Sequence, residues 1–151
     1  MEFSNQINIT NKRAYFNFEI LDKYIAGIRL QGTEIKSIRL GKASLVDSYC
    51  SFEGHELFVI NLNISEYVLG TIYNHIPRRT RKLLLEKVEL VKLRRSVEQK
   101  GLTLVPLRLF ITEKGFAKLE IALARGKKEF DKRETIKERD SKRDLARFTK
   151  R

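Results

Sequence analysis

The sequence predicts a mainly β fold: a small closed antiparallel barrel with one long helix and one or two short ones, followed by a basic C-terminal tail. Two observations predict the barrel. Short segments of alternating apolar and polar residues occur in pairs around turn residues, and a long segment between these pairs has helical spacing. A third observation predicts the tail, because the last 27 residues hold 12 basic and 6 acidic residues. We therefore divide the chain into a barrel domain, 1–124, and a tail, 125–151.

The first half of the barrel is predicted to contain a strand, a short helix and a hairpin. "YIAGIRLQG" is rich in β-branched and aromatic residues, as strands are. "TEIKSIRLG" fits a helix that Thr33 would cap and Gly41 would end, with Ile35 and Ile38 on one face. "ASLVDSYCSF" and "ELFVINLNI", separated by "EGH", predict a β-hairpin.

A long helix is predicted next, from about Thr80 to Lys100. Leu84, Val88 and Val91 fall on one face of such a helix, and Gly101 would end it. In this interpretation the cations of "IPRRTRK" lie near the helix N-terminus, where free N–H groups are suited to hold phosphate. In the alternative interpretation these cations only solvate the end of the helix and bind no ligand.

A second hairpin completes the predicted barrel. "LTLVPLRLFIT" and "FAKLEIALA" flank the turn "EKG", and Leu119, Ile121 and Leu123 alternate toward the interior. Lys118 and Glu120 then point outward. About six short strands and one long helix are typical of the oligonucleotide-binding barrel, whose helix closes one end.

The tail holds too few large apolar residues to cover a core. We therefore expect residues 125–151 to be disordered in the free protein. Helix propensity is good from Glu134 onward, with opposite charges four residues apart at Glu138 and Lys142. This segment is predicted to become helical when it binds a partner.

Charge predicts a polyanionic partner for the whole chain. Lys and Arg number 31 against 19 acids, which gives a net charge of +12 and a pI of about 10.0. Neutralising phosphates releases condensed counterions, so this charge favours nucleic acid, and "NKRAYFNF" offers cations beside aromatics. A membrane surface is an alternative, although no apolar run approaches the length of a spanning helix.

The remaining signals point to a reducing cytosol and away from metal or catalysis. No secretory leader is expected, and the single cysteine, Cys50, fits a small residue on a strand. With His55 and His75 it has no zinc-ligand spacing, so we expect neither metal nor cofactor. Glu34 and His75 are conceivable as an acid–base pair, but nothing in the sequence places them together, and we expect no enzymatic activity.

Several blocks of the sequence resemble the small protein B family, the bacterial SsrA-binding proteins. The resemblance begins at Asn11 and covers nearly all of the chain that follows. The blocks stand in family order and spacing: "NKRAYF", "AGIRLQGTEIKSIRLGKASLVDSY", "NISEY", "RTRKLLL", "GLTLVPLRL" and "LEIALARGKKEFDKRE".

This resemblance implies an oligonucleotide-binding barrel whose body binds the elbow of the tRNA-like domain of transfer-messenger RNA. The residues that match RNA-contacting blocks of the family, or lie in the basic clusters beside them, are Asn11, Lys12, Arg13, Glu34, Lys36, Arg39, Arg78, Arg81, Lys82, Leu84 and Lys118. Leu84 can equally belong to the core. The chain departs from many family members at Ile25, where any role of their carboxylate is lost. It also departs at Ile76, which replaces an acid and favours a structural role for His75.

For the tail, the resemblance implies a helix in the empty mRNA channel near the decoding centre of the small ribosomal subunit. The residues implied to bind there are Gly126, Lys127, Lys128, Phe130, Asp131, Lys132, Arg133, Ile136, Lys137 and Arg139. The cations would bind phosphates of ribosomal RNA. Phe130 stands where relatives have Tyr or His, which an aromatic that stacks on an unpaired base would explain.

Three functions follow from these features. The first is a cytoplasmic, monomeric adaptor that binds transfer-messenger RNA and delivers it to stalled ribosomes in trans-translation. The second is a ribosomal or assembly protein that binds folded ribosomal RNA permanently, and the third is an enzyme acting on RNA. The family resemblance favours the adaptor.

Overall fold

The computed structural model describes residues 6–70, 72–127, 133, 136–140 and 142–143. Its strands are β1 Asn8–Thr10, β2 Phe18–Ile28, β3 Ala43–Ser44, β4 Tyr49–Glu53, β5 Glu56–Ile60, β6 Asn63–Ile64, β7 Arg81–Leu84, β8 Thr103–Ile111 and β9 Ala117–Gly126. Its helices are α1 Lys12–Asn17, α2 Gly32–Arg39 and α3 Lys87–Lys100.

The predicted closed antiparallel barrel is confirmed. The main sheet has the order β1-β8-β4-β5-β7-β2-β9, and β9 also pairs with β8, so six strands form a ring and β1 extends it at β8. A separate pair, β3 and β6, continues the first hairpin. Closure leaves few strand edges unpaired, which removes the templates for edge-to-edge aggregation.

Both predicted hairpins are present. β4 pairs with β5 around a turn at Gly54, which has a positive φ of 63° and therefore suits glycine. β8 pairs with β9 around the predicted "EKG" turn, where Thr112 N–H donates to the Phe116 carbonyl at 2.8 Å. Alternation of apolar residues was sufficient to predict these pairings.

The barrel interior is lined by one large apolar cluster from the strands and two helices. Leu119 and Ile121 are fully buried in it, as the alternation predicts, and α2 and α3 contribute Ile38 and Leu93. The opposite face of β9 is covered as well, because Ala122 and Ala124 pack in a second cluster that includes Ala14 of α1. Helix α1, which has only six residues, was not predicted.

Helix α2 is confirmed, but its cap differs from the prediction. Gln31, not Thr33, is the N-cap: its backbone carbonyl accepts from the Glu34 N–H at 3.1 Å, and Glu34 Oε1 accepts from the Gln31 N–H at 2.8 Å. This reciprocal arrangement is a capping box. It places the Glu34 carboxylate inside the barrel end.

The predicted start of the long helix at Thr80 is wrong. Residues 81–84 form strand β7 between β2 and β5, and the helix begins only at Lys87. Arg81 and Leu83 both face the interior, so the segment has strand periodicity as well as helical periodicity, and closure of the ring selects the strand. The cations of "IPRRTRK" therefore lie in the loop before β7 and on β7 itself, so the free N–H groups of a helix N-terminus do not assist them in binding phosphate.

The segment Tyr67–Ile76, of which Thr71 is not described, forms an exposed apolar loop between β6 and β7. Ile72 and Tyr73 are 90% and 82% exposed, and Val68 and Leu69 are exposed beside them. Asn74 closes the loop: its Nδ2 donates to the Tyr67 carbonyl at 2.8 Å, and its Oδ1 accepts from the Tyr67 N–H at 3.2 Å.

His75 fastens this loop to the barrel. Its ring is buried, with Nε2 2.8 Å from the Ile64 carbonyl and Nδ1 2.8 Å from the Thr33 hydroxyl. Because a carbonyl only accepts, Nε2 carries the proton and Nδ1 accepts from Thr33. His75 thus has the structural role that the sequence analysis gave it.

Within the described part of the chain, no helix is both long enough and apolar enough to cross a membrane.

Candidate RNA-binding surface

A continuous row of residues crosses the outer face of the barrel. Strand register pairs Leu84 of β7 with Gly27 of β2, Gly27 with Lys118 of β9, and Lys118 with Phe110 of β8. Leu84 is 47% exposed, so it belongs to this surface and not to the core. Two residues singled out in the sequence, Leu84 and Lys118, are thereby brought together on either side of a glycine.

A second row runs parallel to the first on the same face. Arg108 of β8 pairs with Glu120 of β9, and Glu120 pairs with Ile25 of β2. Arg108 Nε lies 3.4 Å from Glu120 Oε2, and Arg108 Cζ lies 4.1 Å from the centroid of the Phe110 ring. Arg108 and Phe110 were not predicted as site residues, although their alternation with buried leucines in "LRLF" was a usable signal.

Helix α1 borders one end of this face. Lys12 and Arg13 are exposed there, as phosphate-binding cations need to be. Asn11 is instead buried: its Nδ2 donates to the Pro106 carbonyl at 2.9 Å, and its backbone N–H donates to the Leu107 carbonyl at 2.8 Å. Asn11 therefore positions the start of α1 against β8 and presents no free side chain to a ligand.

Glu34 and Arg81 form a buried ion pair beneath the surface, and neither has an exposed side chain. Arg79 Nη2 also bonds Glu34, at 2.5 Å from Oε1. Arg81 additionally donates from Nη1 to the Leu62 carbonyl at 2.6 Å and from Nη2 to the Pro77 carbonyl at 3.0 Å. These two predicted site residues join α2 to β7 and to the loops before it, and they do not reach solvent.

The network keeps Glu34 ionised. Burial opposes ionisation, but hydrogen bonds from Arg79, the Gln31 backbone and Arg81 outweigh it, so the pKa of Glu34 lies below its ordinary value of 4.5. A carboxylate that accepts from two guanidinium groups is a fixed structural charge. It is not a proton donor at neutral pH.

A pH dependence of stability follows. Because the folded-state pKa is lowered, Glu34 stabilises the fold above its unfolded pKa, and this contribution is lost as pH falls through the folded value. We expect the difference in free energy of unfolding between the wild type and Glu34→Gln to be largest near neutral pH. It should shrink progressively below about pH 4.5, measured by urea denaturation. A difference that stayed constant down to about pH 2 would contradict this account.

Four further predicted cations lie around α2 and β7. Lys36 is exposed, with Nζ 5.5 Å from the centroid of the Tyr67 ring, and Arg78 is exposed in the loop before β7. Arg39 is partly buried and donates from Nη2 to the Gly115 carbonyl at 3.3 Å. Lys82 Nζ forms an ion pair at 3.0 Å with Glu56 Oε1. Lys36 and Arg78 are the better placed of the four to meet a phosphate.

Comparison with known proteins decides the family. A family model described as SmpB protein matches residues 8–151. The chain belongs to the SmpB protein family. The SsrA-binding protein of Flavobacterium psychrophilum is 63% identical over 144 residues, which cover 95% of this chain and 96% of that protein. Those of Bacteroides thetaiotaomicron and Allorhizobium ampelinum are 61% and 53% identical, covering 96% and 97% of this chain and 97% and 92% of theirs.

A solved structure supports the same family through the fold. In a structure described as "tmRNA-SmpB: a journey to the center of the bacterial ribosome", one chain superposes on this one with a TM-score of 0.68. The two are 48% identical, and the match covers 86% of this chain and 94% of that SmpB-type chain. The resemblance found in the sequence is confirmed.

The residues that the SmpB resemblance implies for the tail divide into three groups. Gly126 pairs with Phe18 at the end of β9, and Lys127 N–H donates to the Asn17 carbonyl at 2.9 Å, so both junction residues are part of the barrel. Lys128, Phe130, Asp131 and Lys132 lie outside the described residues. The rest are helical and exposed: Arg133, Ile136, Lys137 and Arg139.

The described tail residues touch the barrel at α1. Arg139 Cζ lies 5.4 Å from the centroid of the Phe16 ring. A cation–π contact at an exposed site contributes only about 0.5–1 kcal/mol. A polyanion that competes for Arg139 can therefore replace this one contact.

The other candidate chemical groups in this SmpB-family chain have structural surroundings. Among the described residues, no three His, Cys, Asp or Glu side chains come close enough to hold a metal ion. Cys50 is buried on β4, and burial raises the pKa of its thiol, which makes it unreactive.

Proposed function

We propose that the chain is a non-enzymatic RNA-binding adaptor of trans-translation. It binds the tRNA-like domain of transfer-messenger RNA (SsrA RNA), delivers this RNA to stalled ribosomes and inserts its tail in the empty mRNA channel near the decoding centre. The observation that carries the proposal is the SmpB family match over residues 8–151, which spans both the barrel and the tail.

The barrel supplies the RNA-binding part of this function. Cations on several elements are available to bind phosphates: Lys12 and Arg13 on α1, Lys36 on α2 and Arg78 before β7 are exposed, and Lys118 on β9 is partly exposed. Leu84 adds an apolar contact. Asn11, Glu34 and Arg81 support this surface from below by fixing α1, α2 and β7.

The tail supplies the sensing part. mRNA and tail cannot occupy the same channel, so the tail binds only where the mRNA has run out. Its cations bind ribosomal RNA phosphates, and Phe130 stacks on an unpaired base. The protein acts in the cytoplasm, as a monomer, through competition for space and electrostatics, and no bond is made or broken by its side chains.

A binding titration tests the RNA preference. The full chain is titrated with the tRNA-like domain of transfer-messenger RNA and with an unrelated folded RNA of equal length, over a salt series. We expect tighter binding of the tRNA-like domain at every salt concentration, because shape-dependent contacts add to counterion release. If the chain binds both RNAs with equal affinity, and both affinities are lost as salt rises, the proposal is overturned. The protein would then be a polycation that binds RNA without specificity.

A further inference from the structure

The outer face of β8 carries two flat groups that are already stacked. The guanidinium carbon of Arg108 lies 4.1 Å from the centroid of the Phe110 ring, and the side chain of Arg108 is 35% exposed. Glu120 holds Arg108 at 3.4 Å through Nε, and the Glu120 side chain is only 14% exposed. The stack is therefore fixed in place before any ligand arrives.

The surroundings of this stack are those of a recognition surface. Phe110 pairs directly with Lys118, and beyond Lys118 the row continues to Gly27 and Leu84. Gly27 has no side chain, so the row is low at this point, and a Cβ there would lie 3.3 Å from Leu84 Cβ. A cation, an aromatic ring and a leucine thus border a shallow depression in the outer face.

We propose that the Arg108–Phe110 pair is a stacking platform on which a nucleobase of the bound RNA packs. This inference rests on the proposed function and names a contact that requires an unpaired base in the RNA but accepts any of the four bases. Glu120 largely compensates the charge of Arg108, so Arg108 contributes mainly the flat face of its guanidinium group. Guanidinium and phenyl faces both stack on bases. Lys118, which forms no ion pair with the described residues, binds the neighbouring phosphate.

A single fluorophore reports the contact directly. The chain contains no tryptophan, so Phe110→Trp introduces the only one, and stacking of the indole on a base quenches its emission. We expect strong, saturable quenching when the tRNA-like domain of transfer-messenger RNA is added. The matched control is Phe58→Trp, since Phe58 is partly exposed on β5, a strand that does not pair with β8 in the described part of the chain. Quenching at position 110 no greater than at position 58 would overturn the platform.

Affinity measurements provide an independent test, which stays valid even if the tryptophan variant does not fold. Phe110→Tyr should bind as the wild type does, and Phe110→Leu should bind the tRNA-like domain about tenfold more weakly, because base–aromatic stacking contributes about 1–3 kcal/mol. The slope of log affinity against log salt should stay unchanged in Phe110→Leu. Lys118→Ala should reduce that slope by about one phosphate contact. An unchanged affinity of Phe110→Leu, or a reduced slope in that variant, would contradict the proposal.

The outcomes separate this inference from the proposed function. If the wild type shows no preference for the tRNA-like domain, the proposed function fails, whatever Phe110 does. If the wild type shows the preference and Phe110→Leu keeps it in full, only the stacking platform fails.

Discussion

Replacing Glu34 with glutamine is expected to lower the free energy of unfolding by about 3–5 kcal/mol. The amide keeps the shape of the carboxylate but leaves the Arg81 guanidinium, which is fully buried, without a countercharge. Removing one partner of a buried pair costs far more than the pair itself contributes, because the remaining charge stays desolvated. Urea denaturation at neutral pH measures the loss.

The matched control is Glu56→Gln. Glu56 also pairs with a cation of β7, Lys82, but its side chain is 54% exposed. Exposed ion pairs contribute about 0–1 kcal/mol, so this variant should unfold almost as the wild type does. If the two variants were equally stable, the Glu34 network would not be the structural element described above.

Truncation after Lys127 is expected to abolish peptide tagging on stalled ribosomes while leaving affinity for transfer-messenger RNA nearly intact. The cut follows Lys127 because Gly126 still belongs to β9 and the Lys127 N–H bonds the barrel. The barrel therefore keeps all its strand pairs. A reconstituted translation system that counts tagged peptides, together with an RNA titration, measures both effects.

A second variant separates specific tail contacts from charge alone. In it residues 128–151 are shuffled, so that composition and net charge are unchanged. It should bind RNA as the full chain does and still fail to tag, because the aromatic and cations no longer occupy their positions. Tagging by the shuffled tail would mean that any polycation suffices. Loss of RNA affinity on truncation would mean that the barrel alone does not bind transfer-messenger RNA and that the tail contributes to this binding.

Local patterns were sufficient to predict the barrel where each segment satisfied only one periodicity. The hairpins around Gly54 and Gly115 are examples, since alternating residues meet turn glycines there. At "TRKLLLEKVEL" the apolar spacing satisfies both a helix and a strand, and only closure of the ring decides that Arg81–Leu84 is a strand. Helix α1 was missed because six residues held by contacts with β8 have too weak a local signal.

The candidate site was predictable by residue type but not by arrangement. Lys118 and Leu84 could be selected individually, but their position on either side of Gly27 depends on the register of three strands. Glu34 and Arg81 are polar residues of the kind that contact RNA, but in the structure both are buried and form an ion pair with each other. Arg108 and Phe110 belong to no charge cluster, so composition gave no reason to select them.

The apolar loop Tyr67–Ile76 affects how the free protein behaves in solution. Copies of a chain with net charge +12 repel one another. This repulsion keeps apart the apolar loops of different copies, in which Ile72 is 90% exposed. Added salt screens the repulsion but does not weaken attraction between apolar side chains. Colloidal stability and RNA binding therefore both decrease as salt rises, so the useful range of any salt series ends where the unbound protein begins to self-associate.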